Sequence, residues 1–257
     1  MISNLASVHP EAKLAGNITV DPFAVIEADV EIGEGSIISS HACILSGTRL
    51  GKNCRVFQGA VVGGIPQDLK FEGEDSLVLI GDNTIIRENA TINRGTKAFG
   101  KTVIGRECLI MANVHIAHDC IISDHVILVN NVALAGHVEI GDWSIIGGLS
   151  AVHQFVNIGP HTMIGGGSLV RKDIPPYITV AREPLSYEGV NVLGLRRRGY
   201  KNARIEEIHH TYRLVYQSGL NTSQAISQIE IEVNQSPERT DILKFLRTSD
   251  RGIVKNI

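Results

Sequence analysis

From Val8 to Val170 an aliphatic residue recurs at every sixth position. Of the 28 positions on this lattice, 25 are Ile, Leu or Val, and the exceptions are Asp68, Glu74 and Ala98. At 43% hydrophobic content, chance would supply only about 12 apolar hits, so the period is an internal repeat. Six fits neither the 3.6-residue period of a helix nor the alternation of a strand. It fits a short strand plus a turn, repeated as the faces of a three-sided prism with 18 residues per coil. Each aliphatic then stacks on its counterpart one coil later, at a strand spacing of ~4.8 Å, and about nine coils make a prism of roughly 45 Å. The predicted fold is mainly β, a parallel β-helix of hexapeptide repeats whose interior is an aliphatic ladder.

Other positions keep the same beat. Four residues after a lattice aliphatic comes a small or β-branched residue, as at Ala24, Ser36, Cys54, Val114, Cys120 and Ser150. Gly often follows the aliphatic directly, as in Ile32-Gly33, Ile104-Gly105 and Ile140-Gly141, where it is expected to supply positive φ at a tight corner. Only 5% of residues are aromatic, against 26 glycines, which suits a tightly turned β architecture. The lattice exceptions mark two excursions, residues 63–76 and 96–101, expected to loop out of the prism. The first carries Gln67, Asp68 and Lys70 beside Pro66, a mixture that points to a functional flap.

The pattern stops at Pro175-Pro176, and 177–195 reads as an irregular connection. Helical spacing follows from about Arg196, with Ile205, Ile208, Tyr212 and Val215 as an apolar stripe. After a turn at Ser218-Gly219, a cap is expected at Thr222 or Ser223, with helices over 223–233 and Pro237 to about Thr248. The chain thus divides into a β-helix over 1–190 and an α-helical C-terminal domain over 191–257, which would cover the unpaired strand edges at the open end of the prism. Residues 1–195 carry 13 Lys+Arg against 20 Asp+Glu, whereas 196–257 carry 11 against 7. A basic C-terminal module suits an acidic partner or a solvated helical face.

The overall net charge of −3 argues against nucleic acid as a partner. Cys43, Cys54, Cys108 and Cys120 show no C-x2-C spacing, so a zinc site built from them is not expected, and they read as small core fillers. The N-terminus has no signal-peptide pattern, and no apolar run approaches the ~18–20 residues of a membrane span. A cytoplasmic protein with reduced thiols is expected.

The chemistry concentrates at LIMANVHIAHDC, residues 109–120. Taken modulo 18, His153, His118 and His137 fall at 9, 10 and 11, one corner in three successive coils, with His115 close by at 7. His125 and His161 share a different corner. Such a cluster could serve a general base steered by a carboxylate, a metal site, or a structural hydrogen-bond column. His115-x-x-His118 is a weak metal signal, since those two side chains need not converge on a β-helix.

The repeat resembles the hexapeptide-repeat acyltransferase superfamily, which implies a left-handed coil, an exception to right-handed crossovers, and a homotrimer. The motifs NVHIAHDC (113–120), LAGHVEIGD (134–142), AVHQF (151–155), IPQDLK (65–70), IPPY (174–177) and VNVLGLRRRGY (190–200) together resemble the UDP-N-acetylglucosamine 3-O-acyltransferases, across essentially the whole chain. That resemblance implies transfer of a (3R)-hydroxyacyl group from acyl carrier protein to a sugar 3-hydroxyl of UDP-N-acetylglucosamine, the first step of lipid A synthesis. It implies His118 as general base, Asp119 as its orienting carboxylate and the Gly136 backbone N–H as oxyanion donor. Gln67, Asp68, Lys70, His115, His137, His153 and Gln154 match groups around the sugar, nucleotide and acyl chain. Gly166 matches an acyl-length ruler, and a glycine there implies a long chain. Asn191 and Arg197 match contacts to the UDP, for which a forked guanidinium is well suited. Some relatives carry an acidic residue two positions after that Asn, where this chain has Leu193. No metal or redox cofactor is implied, because a thioester is already activated. The alternative on the same scaffold is a trimeric metalloenzyme resembling γ-class carbonic anhydrase, with histidines of neighbouring subunits on zinc. It would need neither the helical domain nor the IPQDLK loop.

Overall fold

The computed structural model describes residues 1–256 of the chain. Its short strands fall into three sheets of nine, eight and ten strands, here sheets I, II and III. The chain visits them in rotation. His115–Ile116 lies in sheet I, Ile121–Ile122 in sheet II and Ile127–Leu128 in sheet III, before the next coil begins at Ala133–Leu134. Ile116 pairs with Leu134, Ile122 with Ile140 and Leu128 with Ile146, in parallel and 18 residues apart. The fold is a left-handed parallel β-helix of hexapeptide repeats with helices at its C-terminal end. The lattice aliphatics point inward, and Ile38, Ile44, Ile86, Ile110 and Leu128 are fully buried. Each such side chain contributes about 1.5–3 kcal/mol through removal from water.

The corners depart from expectation in an informative way. Left-handed backbone falls on the third residue after the lattice aliphatic, not the first, for example at Asn17, Asn53, Asp119, His137 and Phe155. Asn and aromatic side chains hold these costly conformations by reaching along the axis. Phe23 stacks on His41, His125 on Trp143 and His137 on Phe155. The glycine after the aliphatic answers a different need, close approach of successive coils. A Cβ on Gly33 would lie 2.6 Å from the Gly51 carbonyl carbon, and one on Gly141 would lie 2.5 Å from the Pro160 nitrogen.

Both excursions leave the prism at the edge between sheets I and II. The first joins Val61–Gly64 to Leu77–Ile80, and the second joins Thr91–Asn93 to Lys101–Ile104. The pairing offset rises to 30 residues across the first (Val62 with Ile92) and 24 across the second (Ile92 with Ile116), then settles at 18. The six-residue beat survives because each insertion is a multiple of six. The 18-residue register holds for every histidine from His115 to His161.

The stretch expected to be irregular is partly ordered. Ile178–Ala181 and Ser186–Val190 form an antiparallel hairpin on the end of sheet III. It is followed by α1 (Val192–Arg197), α2 (Asn202–Tyr216), α3 (Thr222–Glu232) and α4 (Pro237–Thr248). Pro175-Pro176 and the Glu183-Pro184 pair hid these strands, since proline argues against regular pairing. The cap of α3 is Asn221 and not Thr222 or Ser223, in a reciprocal capping box with Gln224. The Tyr212 hydroxyl of α2 donates to the Pro176 carbonyl, and the tail returns so that Val254 N–H donates to Asp173 O at 2.9 Å. Helices and tail together cover the last coil.

Candidate active site

The sheet I–II edge carries the excursions and the histidine cluster in consecutive coils. His118 lies two residues past the strand His115–Ile116, and Asp119 occupies the left-handed corner position with φ 59°. That backbone turns the Asp119 carboxylate back against its neighbour. His118 Nδ1 lies 2.8 Å from Asp119 Oδ2. The carboxylate is fully buried, whereas the imidazole is 15% exposed. Burial of a carboxylate demands hydrogen-bond donors, and Thr96 of the second excursion supplies two. Its N–H donates to Oδ1 at 3.0 Å and its hydroxyl to Oδ2 at 2.7 Å. With the carboxylate accepting throughout, the His118 proton is assigned to Nδ1, which leaves the Nε2 lone pair free.

Gly136 sits one coil above. A Cβ there would meet His118 Cε1 at 2.6 Å and Nε2 at 2.7 Å, so the imidazole can occupy this place only beside glycine. The Gly136 carbonyl accepts from Phe155 N–H at 3.1 Å, and its own N–H has no acceptor among the described residues. His137 packs edge-on to His118 with ring centroids 5.2 Å apart and stacks on Phe155 at 4.4 Å. Burial holds the His137 pKa below its ordinary value, against the opposing pull of Asp119, with Asp68 adding a weaker upward pull. His115, on the outer face of sheet I, bonds Thr91 Oγ1 through Nδ1 at 2.8 Å, and burial lowers its pKa too. Both therefore favour the neutral form near pH 7.

Not every residue singled out from the sequence joins this cluster. Asp68 faces His137 electrostatically, while its Oδ1 accepts from Lys70 N–H at 3.0 Å within the flap. Gln67 and Lys70 are exposed on that flap. His153 and Gln154 belong to the same edge but are exposed, and His153 contacts Arg251 of the tail at 3.2 Å instead of the other imidazoles. Gly166 lies across sheet I, at the edge between sheets III and I, beside Leu169–Val170 and above Gly148. Asn191 and Arg197 sit at the third edge. The Asn191 side chain caps α1 by accepting from Gly194 N–H at 3.1 Å and donates to His161 O at 2.9 Å. Arg197 is exposed on the last turn of α1, and Leu193 is 61% exposed. Thr96, Phe155 and Arg251 were not identified from the sequence. For Phe155 a signal existed, since it shares the phase of Asp119 and His137 in the 18-residue register.

His118, Asp119 and His137 offer donor atoms within 4.8 Å of one another. The chemistry of the set does not suit a cation. Asp119 Oδ2 already accepts from both Thr96 and His118, Oδ1 accepts from the Thr96 amide, and His118 spends Nδ1 on that same carboxylate. His118 Nε2 stays open and oriented by that carboxylate, the property of a general base. The cysteines are free. Burial pushes the Cys54 and Cys108 thiols up to about 11 and Cys120 up to about 12, which makes them inert fillers and not nucleophiles.

Residues 173–254 match the family described as UDP N-acetylglucosamine O-acyltransferase, domain 2. Residues 101–136 match six bacterial transferase hexapeptide repeats. Over 251 residues, 97% of this chain and 97% of the relative, the sequence is 42% identical to the acyl-[acyl-carrier-protein]–UDP-N-acetylglucosamine O-acyltransferase of Saccharophagus degradans. The crystal structure of a UDP-N-acetylglucosamine acyltransferase from Bacteroides fragilis superposes with a TM-score of 0.98 at 50% identity, covering 99% of this chain and 100% of that one. That of Arabidopsis gives 0.86 at 34% identity, covering 99% and 100%. None of these relationships lends support to an anhydrase reading. The likeness runs through prism, excursions and helical module alike, and on that breadth the chain belongs to the UDP-N-acetylglucosamine O-acyltransferase family.

Proposed function

We propose that the protein transfers a (3R)-hydroxyacyl group from acyl carrier protein to the 3-hydroxyl of UDP-N-acetylglucosamine, the first step of lipid A synthesis. The observation that carries the reading is the buried Asp119 carboxylate fixing His118 with Nε2 open at the edge. In this mechanism His118 Nε2 takes the proton of the sugar hydroxyl as its oxygen attacks the thioester carbonyl carbon. The charge that develops on the carbonyl oxygen is met by the Gly136 N–H. Collapse breaks the carbon–sulfur bond, and the imidazolium returns its proton to the departing thiolate. His137, held neutral, puts no competing positive charge beside the imidazolium. Asp68, Lys70 and Gln67 on the flap and His115 below it hold the sugar, with His153 and Gln154 above.

The outer face of sheet I supports an acyl path. Its outward residues above His115 are the small, exposed Ala133 and Ala151, and they lead toward Gly166, about 14 Å along the axis at three strand spacings. We assign that glycine to the far end of a long chain. The nucleotide contacts are assigned to Arg197 and to Asn191, which fixes α1. Because these stand at another edge of the same chain, the reading includes a homotrimer in which one copy's third edge faces the next copy's catalytic edge. A half-buried aliphatic row on the outer face of sheet III, Ile85, Leu109, Ile127, Ile145 and Met163, supports such an assembly. The basic helical module suits an acidic carrier protein. Among the described residues no helix is long and apolar enough to cross a membrane, and a carrier-protein donor with a nucleotide sugar acceptor fits the cytoplasm. The test is a transfer assay with UDP-N-acetylglucosamine and a panel of hydroxyacyl carrier-protein thioesters. Ester formation with thiol release, strongest for long chains, is expected, and no transfer from any donor would overturn the reading.

A further inference from the structure

The second excursion does more than interrupt the prism. Its segment Asn93–Lys97 makes three kinds of attachment. Asn93 Nδ2 donates to Ile65 O at 2.6 Å and Arg94 N–H to Gly64 O at 2.8 Å, which fastens the root of the first excursion. Lys97 N–H donates to Glu74 Oε1 at 2.8 Å and fastens its far end. Between these ties, Thr96 is 6% exposed and faces Asp119. The Thr96 hydroxyl accepts from Ala98 N–H at 3.3 Å, so its own proton is directed at Asp119 Oδ2, the oxygen that His118 also uses.

We propose that Thr96 is a positioning residue of the His118–Asp119 pair, whose hydroxyl shares the carboxylate oxygen with the imidazole and thereby sets both the orientation and the basicity of His118. A carboxylate oxygen that accepts a second hydrogen bond offers less charge to the first donor. Thr96 therefore restrains how strongly Asp119 stabilises the His118 imidazolium. The other ionisable groups facing the pair are His137 on the coil above, Asp68 on the flap beyond it, and the buried Cys120 thiol next to Asp119. None of these donates to Oδ2 within hydrogen-bond distance, as His137 Nε2 stands 3.8 Å away. The substituent that tunes the pair is the threonine hydroxyl.

This role rests on the acyltransferase reading for its catalytic meaning, but it has a readout that does not. Thr96→Val keeps the shape and the backbone N–H bond to Oδ1 while removing only the hydroxyl. With histidine ring carbons labelled and the His118 signal assigned by its loss in His118→Gln, the NMR titration midpoint of His118 is expected to rise by about half a unit to one unit in Thr96→Val. The acid limb of kcat/KM for acyl transfer should move up by the same amount. Thr96→Ser restores the wild-type midpoint. Thr96→Ala, read in the same way, covers the case of a misfolded valine variant. An unmoved His118 midpoint and acid limb in a folded variant, with only a lowered unfolding temperature, would overturn the role. If the titration moves but wild-type protein transfers no acyl group, the activity reading fails and the positioning role stands.

Discussion

At the scale of single residues, the site depends on a few tenths of an ångström. The absent Cβ of Gly136 makes room for His118, so Gly136→Ala forces the imidazole or the backbone above it to shift. Turnover by Gly136→Ala and by His118→Ala is expected to fall on the order of 10²–10⁴, the usual scale for losing a positioned base, with unfolding temperatures close to wild type. Steady-state kinetics beside thermal melts check both. His118 and Asp119 were legible in the sequence because adjacency alone places an imidazole and a carboxylate within reach once the corner is known. Thr96 was not, because its contact depends on how an irregular excursion folds back one coil below, and no period encodes that. Asn191 shows the opposite gap. Its place in a motif was legible, but its commitment to capping α1 emerges only from the helix start at Val192, inside the stretch read as irregular.

At the scale of elements, the repeat dictates nearly everything about the prism and very little about its end. Aliphatics at every sixth position can be buried together only if three faces turn per coil, so sheet number, parallel pairing and register were legible. The glycine that often follows an aliphatic does not serve the corner conformation expected of it. It reflects coil-to-coil approach, which no local rule of turn conformation foresees. Gly141→Ala is expected to cost about 1–3 kcal/mol by overpacking, since its Cβ would press on the Pro160 backbone, and urea unfolding measures it. The hairpin Ile178–Val190 was missed because its strands pair in a new, antiparallel sense outside the repeat.

At the scale of the whole molecule, two expectations concern how the parts hold together. The junction of prism and helices buries His161, which stacks on Tyr177 and meets Tyr200 edge-on. Burial, with Arg198 nearby, lowers its pKa to about 4. The unfolded chain binds that proton near pH 6.5, so the unfolded state takes up more protons between pH 6.5 and 4. Stability contributed by neutral His161 is intact above pH 6.5 and is lost progressively as pH falls toward 4, with His115 and His137 acting in the same direction. Urea midpoints across that range should decline, and less steeply in His161→Gln. The second expectation concerns the proposed trimer. Ile127→Glu, in the aliphatic row of sheet III, is expected to give monomers by light scattering where the unaltered chain gives trimers, while leaving the fold of each chain in place.

The excursions and the His118–Asp119 pair share one edge, and this has a bearing on which changes of chain length the protein can absorb. Lengthening or trimming the flap between residues 65 and 76 leaves the stack in step, because the chain re-enters sheet II at the same strand whatever path it took outside. Removing one residue from a plain corner such as 129–132 would turn Gly136, His137, His153 and Gly166 toward wrong directions together, like a key cut one notch out of step. Variation in length therefore has a safe place to accumulate, beside His118, whereas the stack behind it admits only changes counted in whole turns.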